Sequence, residues 1–421
     1  MSAPPSGEAT TPSRRAAAPY ESALRQLLPS REQGLLLAAC LGAGDAAARA
    51  WSGLVTEVRD VKTYFEANQT GLKGMLPFIE ASLGGNGIDA GKTFHTYARV
   101  ALVREELRSR IYGEILDSVL LALEAAQIPT VLLKGGALAA TVYPQPATRH
   151  NHAIDLLVDA AQMTAATAVL SKVQFKSGPV TSGAACHRDF RHASGLALGL
   201  HSQLLFLPHF EMPLDQIRAR TRSIRLGGKS IRVMSPEDNL VHVIGHATYS
   251  RSRTNLRWAC DAYYLLRGNP ALNWSVVIET AAQSRLELPA WMLLRWVTDV
   301  LAAPIPAEPL AELHRRSRTL DAVTAEGIFA ALLHSTLSRR QAFRAFDTSW
   351  RAQLGFLKFS AFPSPRYVRW RHAVDHGWKL PAYYADRPRR LALRLAAGAA
   401  RRIGYNGGVD PTAVPAKKRA T

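Results

Sequence analysis

The sequence predicts an α+β protein in which a small mixed sheet is flanked by N-terminal and C-terminal helical regions. Three observations predict it. Apolar residues recur at helical spacing from about residue 19 to 126, short apolar runs alternate with short helices from 127 to 233, and helical spacing returns from 234 onwards. The expected division is a lead-in over 1–18, a helical region over 19–126, an α/β core over 127–233, a helical domain over 234–404 and a basic tail over 405–421.

A chain of 421 residues suits two or three packed units, and an apolar fraction of 47% marks it as folded. No apolar run approaches the ~18 residues that would span a bilayer. The opening MSAPPSGEATTPSRRAAAP has no apolar stretch of secretory type, so it is expected to be disordered and the protein cytoplasmic. Cys40, Cys186 and Cys260 are odd in number and lack metal-ligand spacing, which points to reduced, mostly buried thiols. The net charge of +19 suggests an anionic partner such as nucleotide, nucleic acid or a membrane surface. Much of the excess lies in Arg366 to Arg371, Arg387 to Arg402 and Lys417-Lys418-Arg419; a merely solvated basic surface is the alternative reading. Arg387 to Ile403 has the pattern of a basic amphipathic helix, suited to an anionic surface or to docking on its own protein.

Taken in order, two or three short amphipathic helices cover Tyr20 to Asp60, broken at Gly42 and Gly44, and another runs from Gly71 to Leu83. A long helix follows, with Val103, Leu107, Ile111, Ile115 and Val119 at four-residue intervals, widened by Leu116, Leu120 and Leu123, as its expected buried stripe, packed on the sheet that Thr130 to Leu133 begins. Gly135 to Tyr143 reads as a short helix stopped by Pro144 and Pro146, and Ile154 to Val158 as the second strand. Ala160 to Val173 is expected to be helix and Gly195 to Leu200 strand. The glycines at 227 and 228 suggest a hairpin between Ser223–Leu226 and Ser230–Val233. Ser235-Pro236-Glu237-Asp238 is a strong helix start, with the serine as cap. Helices over Asn255 to Leu266, Trp274 to Ser284 and Pro289 to Leu301 complete the legible part.

The chemistry concentrates around the first two strands. Lys134-Gly135-Gly136 at a strand-to-helix junction can bring backbone N–H groups, a helix N-terminus and a cation together, a phosphate-cradling geometry, although glycine pairs after strands also make plain tight turns. Asp155 sits inside the apolar run Ile154-Asp155-Leu156-Leu157-Val158, where an unpaired charge is costly unless it meets a metal or a cation. His246, on an apolar helix, reads as a core histidine. Arg257 and Asp261, one turn apart, read as a helix-surface pair or, if they converge on the Lys134 loop with His246, as contacts to a ligand's phosphate or ribose. His187 and His192 fall on an expected loop near the site.

The pattern Leu133-Lys134-Gly135-Gly136-Ala137-Leu138, Tyr143, Arg149, Ile154 to Val158, the strand ending at Leu200-His201, the Ser235 helix with His246, and Leu256-Arg257-Trp258 with Asp261 resembles the uncharacterised nucleotidyltransferases of the polymerase-beta-like superfamily. The resemblance spans roughly residues 95 to 305. It implies a nucleoside triphosphate as ligand, and carboxylates on two strands holding two Mg²⁺ ions that clamp an in-line displacement. It also implies Asp155 as catalytic and metal-binding residue. Lys134, Gly135, Gly136, Arg149, His152, His201, His246 and Arg257 would bind the nucleotide or its phosphates.

The other two carboxylate positions fall on Ala153 and Gly199, neither of which can ligate through its side chain. His152 and Asp189 are the nearest substitutes in sequence. Mg²⁺ binding is therefore expected to be weak or absent. Two readings follow: a phosphate- or nucleotide-binding protein with a degenerate metal site, supporting a biosynthetic partner protein or peptide, and an active Mg²⁺-dependent nucleotidyltransferase with a peptide, saccharide or small-molecule acceptor.

Overall fold

The computed structural model describes residues 15–178, 186–248, 256–372 and 380–386. The first fourteen residues of the expected lead-in, the Arg387–Ile403 stretch and the basic tail lie outside them. Arg15 and Ala16, placed by sequence in the disordered lead-in, instead pair antiparallel with Leu320 and Thr319.

The N-terminal helices are α1 (Ala18–Arg25), α2 (Arg31–Leu41), α3 (Gly44–Val58), α4 (Val61–Ala67) and α5 (Leu76–Gly85). Ser30 and Gln33 form a capping box that starts α2. The long helix α6 (Lys92–Ala125) leads into the sheet, whose strands are β1 (Val131–Leu132), β2 (Ala153–Leu157), β3 (Phe175–Ser177), β4 (His187–His192), β5 (Ala197–His201), β6 (Arg222–Leu226) and β7 (Lys229–Val233). Between strands lie α7 (Lys134–Thr141) and α8 (Met163–Lys172). The helices α9 (Pro236–Thr248), α10 (Arg257–Gly268), α11 (Trp274–Gln283) and α12 (Glu287–Leu301) follow, with further helices beyond. The Ser235 hydroxyl caps α9, accepting the Asp238 N–H at 3.1 Å. Among the described residues no helix is long and apolar enough to cross a membrane.

The seven strands lie in the order β3-β4-β5-β2-β1-β7-β6. β1 is parallel to β7 and β2 to β5, while β1–β2, β3–β4, β4–β5 and β6–β7 are antiparallel. The sheet is thus mixed, as expected. Its outer face carries Leu132, Ile154, Leu156, Leu198, Leu200, Ile231 and Val233, covered by Leu116, Val119, Leu120 and Leu123 of α6 and by Ala166 and Leu170 of α8. Because side chains alternate along a strand, the residues between these point to the opposite face. There Val131, Leu133 and Leu157 join a large helical core that also contains Leu36 and Leu37 of α2 and Leu294 and Val297 of α12. Helices from both ends of the chain share that core, and the Tyr263 hydroxyl on α10 donates to the Leu41 carbonyl of α2.

Two expectations are corrected. The expected stripe on α6 holds only in its C-terminal half, where Leu116, Val119, Leu120 and Leu123 are buried: Val103, Leu107 and Ile111 are 44%, 56% and 50% exposed, and the buried residues towards the N-terminus are Phe94, Ala98, Leu102, Glu105 and Tyr112. At 3.6 residues per turn, each four-residue step advances about 40° around the helix, so a strict series cannot stay on one face through four steps. Second, His187 to His192 is not a loop but strand β4, an antiparallel partner of β5. Its sequence, HRDFRH, hides this because only Phe190 is buried.

Candidate functional site

The site lies on the sheet face that meets the helices. β2 brings Ala153 and Asp155 to this face, and β5 brings Ala197, Gly199 and His201; the register sets Asp155 beside Gly199 and Leu157 beside His201. On the far side of β5, Asp189 stands opposite Gly199 and His187 opposite His201. Asp155, Gly199 and Asp189 therefore form one row across three strands, with a carboxylate on each side of the glycine.

Lys134, the first residue of α7, adopts a left-handed backbone at φ 51°. Such a conformation is uncommon for a side chain other than glycine, and here it accompanies a side chain held back against the strands. Its Nζ lies 2.7 Å from Asp155 Oδ1 and 3.3 Å from His201 Nε2. His201 Nε2 is itself 2.7 Å from the same Asp155 oxygen. His201 Nδ1 meets His187 Nδ1 at 3.1 Å, and His187 Nε2 meets Asp189 Oδ1 at 2.7 Å. A polar chain thus runs Lys134, Asp155, His201, His187, Asp189.

Burial alone would raise the Asp155 carboxyl, but the Lys134 ammonium and the His201 hydrogen bond outweigh it and hold the group well below the usual carboxylate range. His201 is pushed down to about 4, first by burial and then by Lys134, against the pull of Asp155. At neutral pH Asp155 is therefore ionised and the His201 imidazole neutral.

Both glycines also answer to packing. Gly135 is buried, and a Cβ there would overlap Asn151 Oδ1. Gly136 is turned away from the site; its Cβ would stand 2.6 Å from the Tyr112 hydroxyl and 3.2 Å from Leu132. Both are needed for close packing of α7 against its neighbours.

Arg149 is likewise engaged. Its guanidinium grips Asp261 of α10 with two bonds, Nε–Oδ1 at 2.7 Å and Nη2–Oδ2 at 2.8 Å, and donates its remaining amine to the His150 carbonyl at 2.7 Å. The Tyr143 hydroxyl adds a third bond to Asp261 at 2.7 Å. Arg149 therefore steadies the loop before β2, and the expected Arg257–Asp261 helix pair gives way to this arrangement. Arg257 donates to the His150 carbonyl at 3.4 Å, and burial, then neighbouring Arg149, lowers it to about 10.

A cavity of about 210 Å³ opens above the cluster, lined by Lys134, Gly135, Arg149, His152, Asp155, His246 and Arg257 among others. His246 is exposed to this space, contrary to its reading as a core histidine; His242, one turn earlier, is the buried one, bonded to the Leu204 carbonyl. The nearby Asn151 Oδ1 is buried without a hydrogen-bond partner. His201 adjoins the cavity through Lys134 and Asp155. At its edge stand three residues that sequence reading missed, of which Glu105 is buried, together with His152: His150 bonds Glu105 at 2.7 Å, Arg108 at 3.1 Å and His152 at 3.1 Å. The legible signal was Glu105 itself, a carboxylate at helical spacing among apolar residues.

Ala153 and Gly199 offer no ligating side chain, the one retained carboxylate is bonded to an ammonium, and no group of three or more metal-ligating side chains gathers among the described residues. Room for a third carboxylate is also short: a Cβ at 199 would stand 2.9 Å from both Asp155 Oδ1 and His201 Nε2.

The model of a family described as uncharacterised nucleotidyltransferase matches residues 73–302, more than half of the chain. No curated protein matches it in sequence. Among solved structures, the lincosamide antibiotic adenylyltransferase LnuA is similar at 17% identity and a TM-score of 0.27, over 36% of this chain and 94% of its own. The antibiotic-resistance factor ANT(2'')-Ia is similar at 14% identity and a TM-score of 0.26, over 49% of this chain and 98% of its own. A nucleotidyltransferase-like antigen from Paracoccidioides brasiliensis is similar at 17% identity and a TM-score of 0.31, over 47% and 96%.

Proposed function

Because the chain belongs to the uncharacterised nucleotidyltransferase family, we propose that it keeps the family's nucleotide- or phosphate-binding role without standard two-metal transfer, serving a biosynthetic pathway beside a partner protein or peptide. The observation that carries this reading is the contact between Lys134 Nζ and Asp155. An ammonium occupies one oxygen of the carboxylate on which a divalent ion would depend. The cavity offers Lys134 and Arg257 to an anion, and the exposed His246 ring to a hydroxyl or amine. A nucleotide supplies both. At about 210 Å³ the space suits the phosphate-bearing end of the ligand, since whole small-molecule sites run to roughly 300–1,000 Å³.

Calorimetric titration tests the reading. ATP is expected to bind equally well with Mg²⁺ and with chelator, and labelled triphosphate to release no pyrophosphate with any acceptor pool. Pyrophosphate release that Asp155→Asn abolishes would overturn it in favour of the second reading, an active Mg²⁺-dependent nucleotidyltransferase with a peptide, saccharide or small-molecule acceptor. The observation on that side is that Asp155 is held ionised.

A further inference from the structure

A second, larger space adjoins the first. It is a groove of about 1030 Å³ between α4, the segment Gly71 to Pro77, and the first half of α6, and it meets the smaller cavity at His152 and Arg257. Lys62, Lys73, Lys92, Arg104, Arg108 and Arg257 line it, against only Glu66 and Glu105. Glu105 is 6% exposed and already bonded to His150, so it contributes little free negative charge. The floor between these cations is apolar, formed by Leu76, Pro77, Tyr97, Val100 and Ala101. From Lys92 to Arg108 the lining follows α6 for about 24 Å at 1.5 Å per residue.

We infer that this groove binds an amphiphilic organic phosphate, an apolar-bodied molecule whose anionic group is held by the lining cations, as the second ligand of the protein. Cations alone would suit any anion, and an apolar floor alone would suit any hydrophobe; the two together select a molecule with both parts. The shared wall at His152 and Arg257 would bring that ligand against the phosphate-bearing end of the first. The inference rests on the phosphate-binding reading of the Lys134 cavity for this pairing of ligands, whereas occupancy of the groove is measured independently of it.

Octyl phosphate, octanol and inorganic phosphate, titrated into the full chain by calorimetry, separate the contributions. Octyl phosphate is expected to bind at least tenfold more tightly than either of the others. The exposed pair Lys92→Glu/Arg104→Glu should weaken it at least tenfold while ATP binding stays unchanged, and Lys134→Ala should leave octyl phosphate binding unchanged. Ala101→Trp, which fills the floor without altering charge, should weaken octyl phosphate in the same way and serves if the charge reversals fail to fold. Octanol binding as tightly as octyl phosphate, insensitivity to both groove variants, or parallel loss of ATP binding in a folded groove variant would each overturn the inference. Failure of ATP to bind the unmodified protein would instead count against the Lys134 cavity alone.

Discussion

Lys134 Nζ stands 2.7 Å from Asp155 Oδ1, and the histidine two strand positions from Gly199 shares the same oxygen at 2.7 Å. The acid of the second strand is thereby the centre of a proton- and charge-sharing cluster.

Replacing Lys134 with methionine should raise the His201 pKa from about 4, because the ammonium that opposes imidazole protonation is gone while Asp155 still favours it. NMR titration of the ring reads this directly; an unmoved His201 would mean that Lys134 does not act on it. In the unmodified protein the folded value lies below the ordinary ~6.5 of an unfolded histidine. The unfolded chain then binds more protons between those values, so this contribution is fully present above about pH 6.5 and falls as pH drops toward 4, by up to about 3 kcal/mol. Denaturant melts across that interval should show the decline, with a shallower slope in His201→Asn.

Arg149→Lys should destabilise the fold by about 2–4 kcal/mol, since a lysine cannot reproduce the two-pronged grip and leaves the buried Asp261 under-bonded. Urea denaturation checks it. A substitution that weakened ATP binding strongly with stability intact would return Arg149 to the role of phosphate ligand.

Gly135→Ala should cost about 1–3 kcal/mol through overlap with Asn151. In the double variant with Asn151→Gly the penalty should largely vanish, giving a favourable coupling energy in a double-mutant cycle. Equal penalties in the two backgrounds would show that the glycine is needed for a bound phosphate or for its backbone conformation instead.

Much of the fold was legible because it follows local rules. Gly42 and Gly44 separate α2 from α3, Ser235 caps α9, and the apolar runs at Leu132 and Ile154 mark paired strands. β4 was not, because a strand near the sheet edge with one buried side chain lacks an alternating apolar pattern. The buried face of α6 was misplaced in its N-terminal half because a helix spanning two cores changes its neighbours along its length, and no fixed spacing describes both.

For the site, the sequence by itself determined the residue inventory: one acid at 155, none at 153 or 199, and a lysine at a strand-to-helix junction. Those identities are local and need no fold to be read. Only the tertiary structure decided how they are spent. It bonded Lys134 to Asp155 across 21 positions, tied Arg149 to Asp261 across 112, and set Asp189 in line with Asp155 through Gly199. Pairing partners so far apart are fixed by sheet register and helix packing, and a charge in a half-dry cleft takes whichever partner that packing delivers.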